Sequence, residues 1–186
     1  MRIITGDYKG KKIEMPVGYD IRPTTEKVKE ALFSIVSSHI DIEDTVCCDL
    51  FSGTGNLGLE ALSRGAEKCF FCDNSRDSIN LIKRNIANCK AESRAELIAG
   101  DYEKALTRIY EKGEKIDIFL IDPPYKDGLY DKCFELIREY DLLSDIGIII
   151  AEHDVKDEMP ENLSGYLKLK DRTYGRICLS VYSGEE

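Results

Sequence analysis

No stretch of this 186-residue sequence stays apolar for the ~20 residues that a helical bilayer crossing needs, so a membrane span of that kind is excluded. The opening segment, MRIITGDYKGKK, turns polar after Ile4 and has no apolar core of the kind a secretion signal carries; a cytoplasmic location is expected. There is no internal repeat and no low-complexity tract. Histidine is scarce. His39 and His153 have no partner at metal or triad spacing, so both are expected to be structural and no metal site is expected. Ser34, Ser37 and Ser38 lack the strand-turn-helix setting of a nucleophile elbow.

Positive charge is also short, with 26 Lys and Arg against 35 Asp and Glu and a net charge of −9. That balance argues against a simple nucleic-acid coat protein. The deficit is uneven, however. Residues 1–30 carry 7 basic and 5 acidic side chains, whereas residues 31–165 carry 15 and 27. Residues 166–186 return to 4 and 3, with Lys168, Lys170, Arg172 and Arg176 close together. Both ends are thus more basic than the middle.

The seven cysteines are odd in number and most lie in apolar runs, which suits reduced, buried thiols. Cys69 and Cys72 form a C-x-x-C, but no second ligand pair and no helix start accompanies it. They are read as strand filling.

What is present is a regular alternation. Residues 2–5 and 11–14 read as a hairpin turning through GDYKG, and RPTTEKVKEALFSIVSSH as a helix capped by Thr24 or Thr25. From residue 45, apolar strands (TVCCDLF, KCFFCD, AELIAG, KIDIFLID, GIIIAEH) alternate with amphipathic helices. That order predicts a mostly parallel sheet covered on both faces. YLKLKDRTYGRICLSVY then alternates at period two on either side of Gly175, predicting a terminal antiparallel hairpin and seven strands in all.

The first strand leads into DLFSGTGNLG, whose Gly53, Gly55 and Gly58 match G-x-G-x-x-G, and Asp73 ends the second strand twenty residues after Gly53. Glycines let the backbone approach a ligand at a helix start, and a carboxylate at that point suits ribose hydroxyls. A nicotinamide dinucleotide and S-adenosylmethionine both satisfy this pattern, as does a turn that merely packs helix on strand. Asp49 favours S-adenosylmethionine, since a carboxylate beside the loop repels a pyrophosphate and attracts an α-ammonium group. Asp101, after strand three, suits either an adenine amino group or a helix cap.

Strand four ends in Asp122-Pro123-Pro124-Tyr125. Two prolines cannot continue a sheet ladder, so the chain must leave in a stiff turn. Such a corner can grip an exocyclic amine. The Asp122 carboxylate and Pro123 carbonyl would accept its two hydrogens, and Tyr125 would stack on an extruded base. The motif resembles the signature of methyltransferases acting on nucleobase amino groups.

With GDYKGKKIEMP, IRPTTEKVKEALFSIV, DLFSGTGNLGLEALSRGA, DPPY and the closing YGR, nearly the whole chain resembles the RsmD family of bacterial 16S rRNA guanine-N2 methyltransferases. The resemblance implies a Rossmann-like class I methyltransferase fold with S-adenosylmethionine as donor and S-adenosylhomocysteine as product. It implies residues 1–22 as an N-terminal β-hairpin extension contacting RNA, and 23–186 as the methyltransferase domain. Asp122, Pro123, Pro124 and Tyr125 would be catalytic; Asp49, Ser52, Gly53, Thr54, Gly55, Asp73, Asn74 and Asp101 would line the cofactor. Arg22, Thr24, Lys9, Lys11 and Lys12 would face substrate. The expected partner is 16S rRNA in the 30S subunit or an assembly intermediate, bound by a monomer. Rival readings are a DNA adenine-N6 or cytosine-N4 methyltransferase, an NAD-dependent oxidoreductase on the same loop, and a non-enzymatic assembly factor.

Overall fold

A computed structural model describes residues 1–16, 25–124 and 128–184. Five helices and eight strands follow one another as α1 (Glu26–Ser37), β1 (Val46–Asp49), α2 (Asn56–Ser63), β2 (Lys68–Asp73), α3 (Arg76–Cys89), β3 (Ala95–Ala99) and α4 (Tyr102–Glu111). They continue as β4 (Ile116–Ile121), α5 (Leu129–Glu139), β5 (Leu143–Asp154), β6 (Asn162–Leu163), β7 (Tyr166–Tyr174) and β8 (Ile177–Gly184). They build a single mixed sheet in the order β3-β2-β1-β4-β5-β8-β7-β6. The first five strands in that order are parallel, and β8 enters antiparallel beside β5.

The seven-strand expectation gains an eighth. The two-residue β6 pairs with the start of β7 through the tight turn at Ser164 and Gly165, both in the left-handed region, and is too short to register as a pattern. β5 also begins earlier than GIIIAEH predicts. Leu143 pairs with Ile116 before a register shift carries the ladder to Ile148.

Side chains alternate across the sheet, and each strand feeds two cores. Cys47, Phe71, Ile118 and Leu120 pack with α1, α2 and α3 on one face. Cys48, Phe70, Phe119 and Ile121 pack with α4 and α5 on the other. This two-sided burial is why the strands read as continuous apolar runs. It also settles the C-x-x-C pair: three positions apart in β2, Cys69 and Cys72 point to opposite faces, one in each core. All seven thiols are free and buried, and burial pushes the Cys47 thiol up to about 12.

The N-terminal residues form a hairpin reduced to one bridge, Arg2 to Lys12. Ladder bonds are few because its backbone pairs with helices instead. The Ile4 and Thr5 N–H groups donate to the Glu60 carboxylate at 2.9 and 3.2 Å. The Glu14 N–H donates to Asn85 Oδ1, and Asn85 Nδ2 donates back to the Glu14 carbonyl. Glu60 has no solvent exposure and is neutralised by Lys29 Nζ at 2.9 Å, also fully buried, and by Arg64 Nε at 3.0 Å. α1 is capped by Thr25, whose hydroxyl accepts the Val28 N–H. No helix among the described residues is long and apolar enough to cross a membrane.

Candidate active site

Strand order reverses between β1 and β4, which leave the sheet at their carboxyl ends toward opposite sides. Such a switch point opens a crevice in doubly wound sheets. Here it is a cleft of about 850 Å³.

One wall comes from the loop after β1. Ser52 stitches this loop to β2, with its N–H donating to the Cys72 carbonyl at 2.9 Å and its hydroxyl accepting the Cys72 N–H at 3.0 Å. Gly53 and Gly55 lie at φ 56° and 78°, in the left-handed region that side-chain-bearing residues rarely adopt. Gly58 has a different reason to be glycine: a Cβ there would sit 2.4 Å from Cε1 of Phe71. Close packing of α2 on β2 thus depends on it. Asp73 closes the loop, its Oδ2 accepting the Gly53 N–H and its Oδ1 the Ser75 N–H, each at 2.9 Å.

The opposite wall is the end of β4. The Leu50 N–H donates to the Leu120 carbonyl at 3.0 Å, so the Asp122-Pro123-Pro124 corner emerges directly beside the glycine loop. Asp122 and both prolines line the cleft, Pro123 buried and Asp122 exposed. The end of β3 contributes Asp101, which caps α4 by accepting the Lys104 N–H at 2.9 Å and still lines the cleft. The end of β5 contributes Glu152 and His153.

A family model, that of conserved hypothetical protein 95, matches residues 1–183. The chain belongs to this family, the RsmD family that its motifs resemble. It is 36% identical over 182 residues to the "Putative rRNA methyltransferase YlbH" of Bacillus subtilis, covering 98% of each chain. It is 30% identical over 185 residues to the Escherichia coli "Ribosomal RNA small subunit methyltransferase D", covering 100% of this chain and 90% of that one. Among solved structures, the Escherichia coli protein titled "Putative methyltransferase yhhF" superposes with a TM-score of 0.84 at 31% identity, over 100% of this chain and 98% of that one.

Within this RsmD-family chain, the residues singled out from sequence fall into three groups. Gly53, Asp73, Asn74, Asp101, Asp122, Pro123 and Pro124 share the cleft wall. Asp49, Ser52, Thr54 and Gly55 form the frame behind it. Asp49 is 3% exposed and accepts the Gly58 N–H at 3.0 Å; burial, with the charges of Asp122 and Asp73 nearby, pushes its carboxyl up to about 7. Lys9, Lys11 and Lys12 are exposed on the hairpin, outside the cleft lining. Tyr125, Arg22 and Thr24 lie outside the described residues.

Sequence reasoning gave no role to Glu152 or His153, yet both stand at the cleft. Their position at a parallel strand's carboxyl end was the available signal. His153 is buried and held at both nitrogens. Nε2 lies 2.7 Å from Ser180 Oγ, which itself donates to the Asp171 carboxylate, and Nδ1 lies 3.0 Å from the Asp154 carbonyl. Tyr130, edge-on to the His153 ring, donates its hydroxyl to the Glu152 carbonyl. Burial and the Asp122 charge raise the Tyr130 phenol well above its ordinary range.

Proposed function

We propose that this protein methylates the exocyclic N2 of a guanine in small-subunit ribosomal RNA, using S-adenosylmethionine and acting in the cytoplasm as a monomer on 30S material. The observation that carries this reading is the shared cleft: Asp122 and Pro123 open on the same space as Gly53 and Asp73.

The donor set suits the cofactor. Asp73, Asp101, Asp122, Glu152 and Asp154 surround the cleft, and Arg176, the lone Lys or Arg of its lining among the described residues, is paired to Asp154 at 3.1 Å. A pyrophosphate would meet net repulsion there, whereas a sulfonium ligand with an ammonium group meets attraction. This disfavours the dinucleotide reading. A carboxylate offers about four lone-pair sites, so Asp73 retains acceptors for ribose hydroxyls beyond its two loop bonds. Asn74 and Asp101, on the same lining, would meet the adenosine part, and a bound cationic ligand would favour the ionised form of Asp49 behind the loop.

S-adenosylmethionine, when bound, supplies an electrophilic methyl group on a positively charged sulfur. The chain's own residues prepare the amine. Its lone pair is delocalised into the base. Acceptance of its two hydrogens by the Asp122 carboxylate and the Pro123 carbonyl turns the lone pair toward the methyl carbon and favours positive charge developing on nitrogen. The prolines hold both acceptors before the base arrives. Asp122 or solvent takes the proton afterwards. Tyr125 provides the stacking surface for an extruded base. Arg22, Thr24 and the lysines at 9, 11 and 12 serve RNA contact.

The test is methyl transfer from labelled S-adenosylmethionine to 30S subunits, naked 16S rRNA and DNA, with nucleoside analysis. N2-methylguanosine in rRNA is expected. Asp122→Ala should lose most turnover, at least ~100-fold, while retaining S-adenosylhomocysteine affinity. Transfer to DNA alone, or full activity in that variant, overturns the proposal.

A further inference from the structure

The basic cluster near the C-terminus divides in the folded chain. Lys168 is held by Glu161 and Asp171, at 2.9 Å each, and Arg176 by Asp154. Lys170 and Arg172 make no ion pair among the described residues. With Tyr174 they alternate along β7, so all three stand on the sheet face that carries α1. Across from them on α1, Lys27, Ala31, Ser34 and Ser38 recur at helical spacing. Together these residues line a second groove, of about 460 Å³, on the surface between α1 and β7.

Its charge runs against that of the molecule. Lys27, Lys170 and Arg172 face a single carboxylate, Glu30, in a chain whose net charge is −9. Lys27, too, has no ion-pair partner among the described residues. The groove also leads somewhere. Tyr174 is part of its lining, and Arg176, two residues on, lines the catalytic cleft. The outer edge of β7 from Leu169 to Tyr174 carries no pairing strand among the described residues, leaving backbone N–H groups along this border as further donors.

We infer that the α1–β7 groove binds the phosphodiester backbone of the RNA substrate, with Lys27, Lys170 and Arg172 as its phosphate contacts, and guides the strand toward the cleft. The inference rests on the RNA-methylation reading above and adds to it the surface that holds the polyanion. It also answers a physical difficulty. A protein this acidic needs a local cationic track, because affinity for RNA comes largely from phosphate neutralisation and counterion release. Hydroxyls of Ser34 and Tyr174 can donate to phosphate oxygens between the cations, in the manner of contacts that fix a strand's register without reading its sequence.

The experiment compares the full-length wild type with the triple variant Lys27→Gln, Lys170→Gln, Arg172→Gln and with a charge-matched control, Lys112→Gln, Lys115→Gln, Lys132→Gln. The control sites lie toward the opposite face of the sheet, on α5, at the end of α4 and just before β4, with Lys112 and Lys115 paired to Glu96 and Asp141. Binding to 30S subunits and to naked 16S rRNA is measured over a range of salt, alongside KM and kcat for methyl transfer and S-adenosylhomocysteine affinity by calorimetry. The groove variant should bind both RNAs about tenfold or more weakly near 0.1 M salt. Its log K against log salt should be shallower by about 2, as expected for three lost phosphate contacts on a single strand. KM should rise with kcat and S-adenosylhomocysteine affinity preserved, and the control should change little. Unchanged binding overturns the inference, as does an equal loss in the control, which would assign the effect to the whole-molecule field. A loss confined to 30S with an unaltered salt slope would assign the groove to a ribosomal protein and also overturn it. Absence of rRNA methylation by the wild type counts against the functional reading alone, since the binding comparison still decides the groove.

Discussion

Asp73 accepts the backbone N–H of Gly53 at 2.9 Å, joining two residues twenty positions apart into one wall of the cleft. The carboxylate holds the loop at a left-handed glycine and lines the cleft proposed to take S-adenosylmethionine, where its remaining lone pairs would serve that ligand. Asp73→Ala removes both functions. S-adenosylhomocysteine affinity should fall by roughly 2–3 kcal/mol, in line with loss of a charged hydrogen-bonding partner. Asp73→Asn, which keeps an acceptor for Gly53, should fall by less. Calorimetry on the two variants separates loop support from ligand contact.

Asp49 gives a signed pH dependence. Its carboxyl stands at about 7 in the folded chain against an ordinary 3.8, raised first by burial. The folded state therefore keeps a proton that the unfolded chain has released. Stability from this group is full below the unfolded value, declines as pH rises from 3.8 toward 7, and is constant above. Asp49→Asn preserves an acceptor for the Gly58 N–H and abolishes the decline. In thermal melts without ligand, the variant should match the wild type near pH 4 and exceed it at pH 8 by up to ~4 kcal/mol.

Lys29 and Glu60 are a buried pair with no exposure on either side chain. Lys29→Met leaves Glu60 with Arg64 and the two hairpin N–H groups but strips its buried counter-charge. A loss of about 3–5 kcal/mol is expected. The double variant Lys29→Met, Glu60→Leu should recover part of it, although the Ile4 and Thr5 N–H groups then lose their acceptor. Urea titrations of the wild type, the two single variants and the double variant give the coupling energy.

Gly58→Ala tests the packing of α2 on β2. With Phe71 Cε1 at 2.4 Å and Cys69 Sγ at 2.8 Å from the added Cβ, either the helix or these β2 side chains must shift. Overpacking of this kind costs about 1–3 kcal/mol. Since Gly55 caps the start of α2, displacement of the helix should also weaken ligand binding, measurable as a smaller rise in Tm on adding S-adenosylhomocysteine.

The alternation of apolar strands with amphipathic helices made the parallel sheet legible, because two-sided burial leaves little room for polar residues in a strand. The glycine loop, Asp73 and the Asp122 corner were legible for another reason: tight turns restrict residue type. The place of Glu152 at the end of β5 was legible but no role for it was, and the contacts of His153 were not, since Ser180 reaches that ring only through β8 pairing beside β5. The early start of β5 was hidden by the polar Ser144 and Asp145, which sit at a register shift rather than in a turn. Nothing in the sequence marked Lys29 as buried. Only the approach of α2 and the hairpin, distant in sequence, enclosed it. Likewise, composition alone could not divide the C-terminal basic cluster into paired and outward-facing members.

The mooring of the hairpin on Glu60 has a mechanical consequence. Glu60 stands on the second turn of α2, the helix whose first turn is fed by the glycine loop, so hairpin, helix and loop are joined by contiguous bonded contacts. If RNA contacts the hairpin as proposed, its pull would bear on α2 and, through that helix, on the loop proposed to hold S-adenosylmethionine.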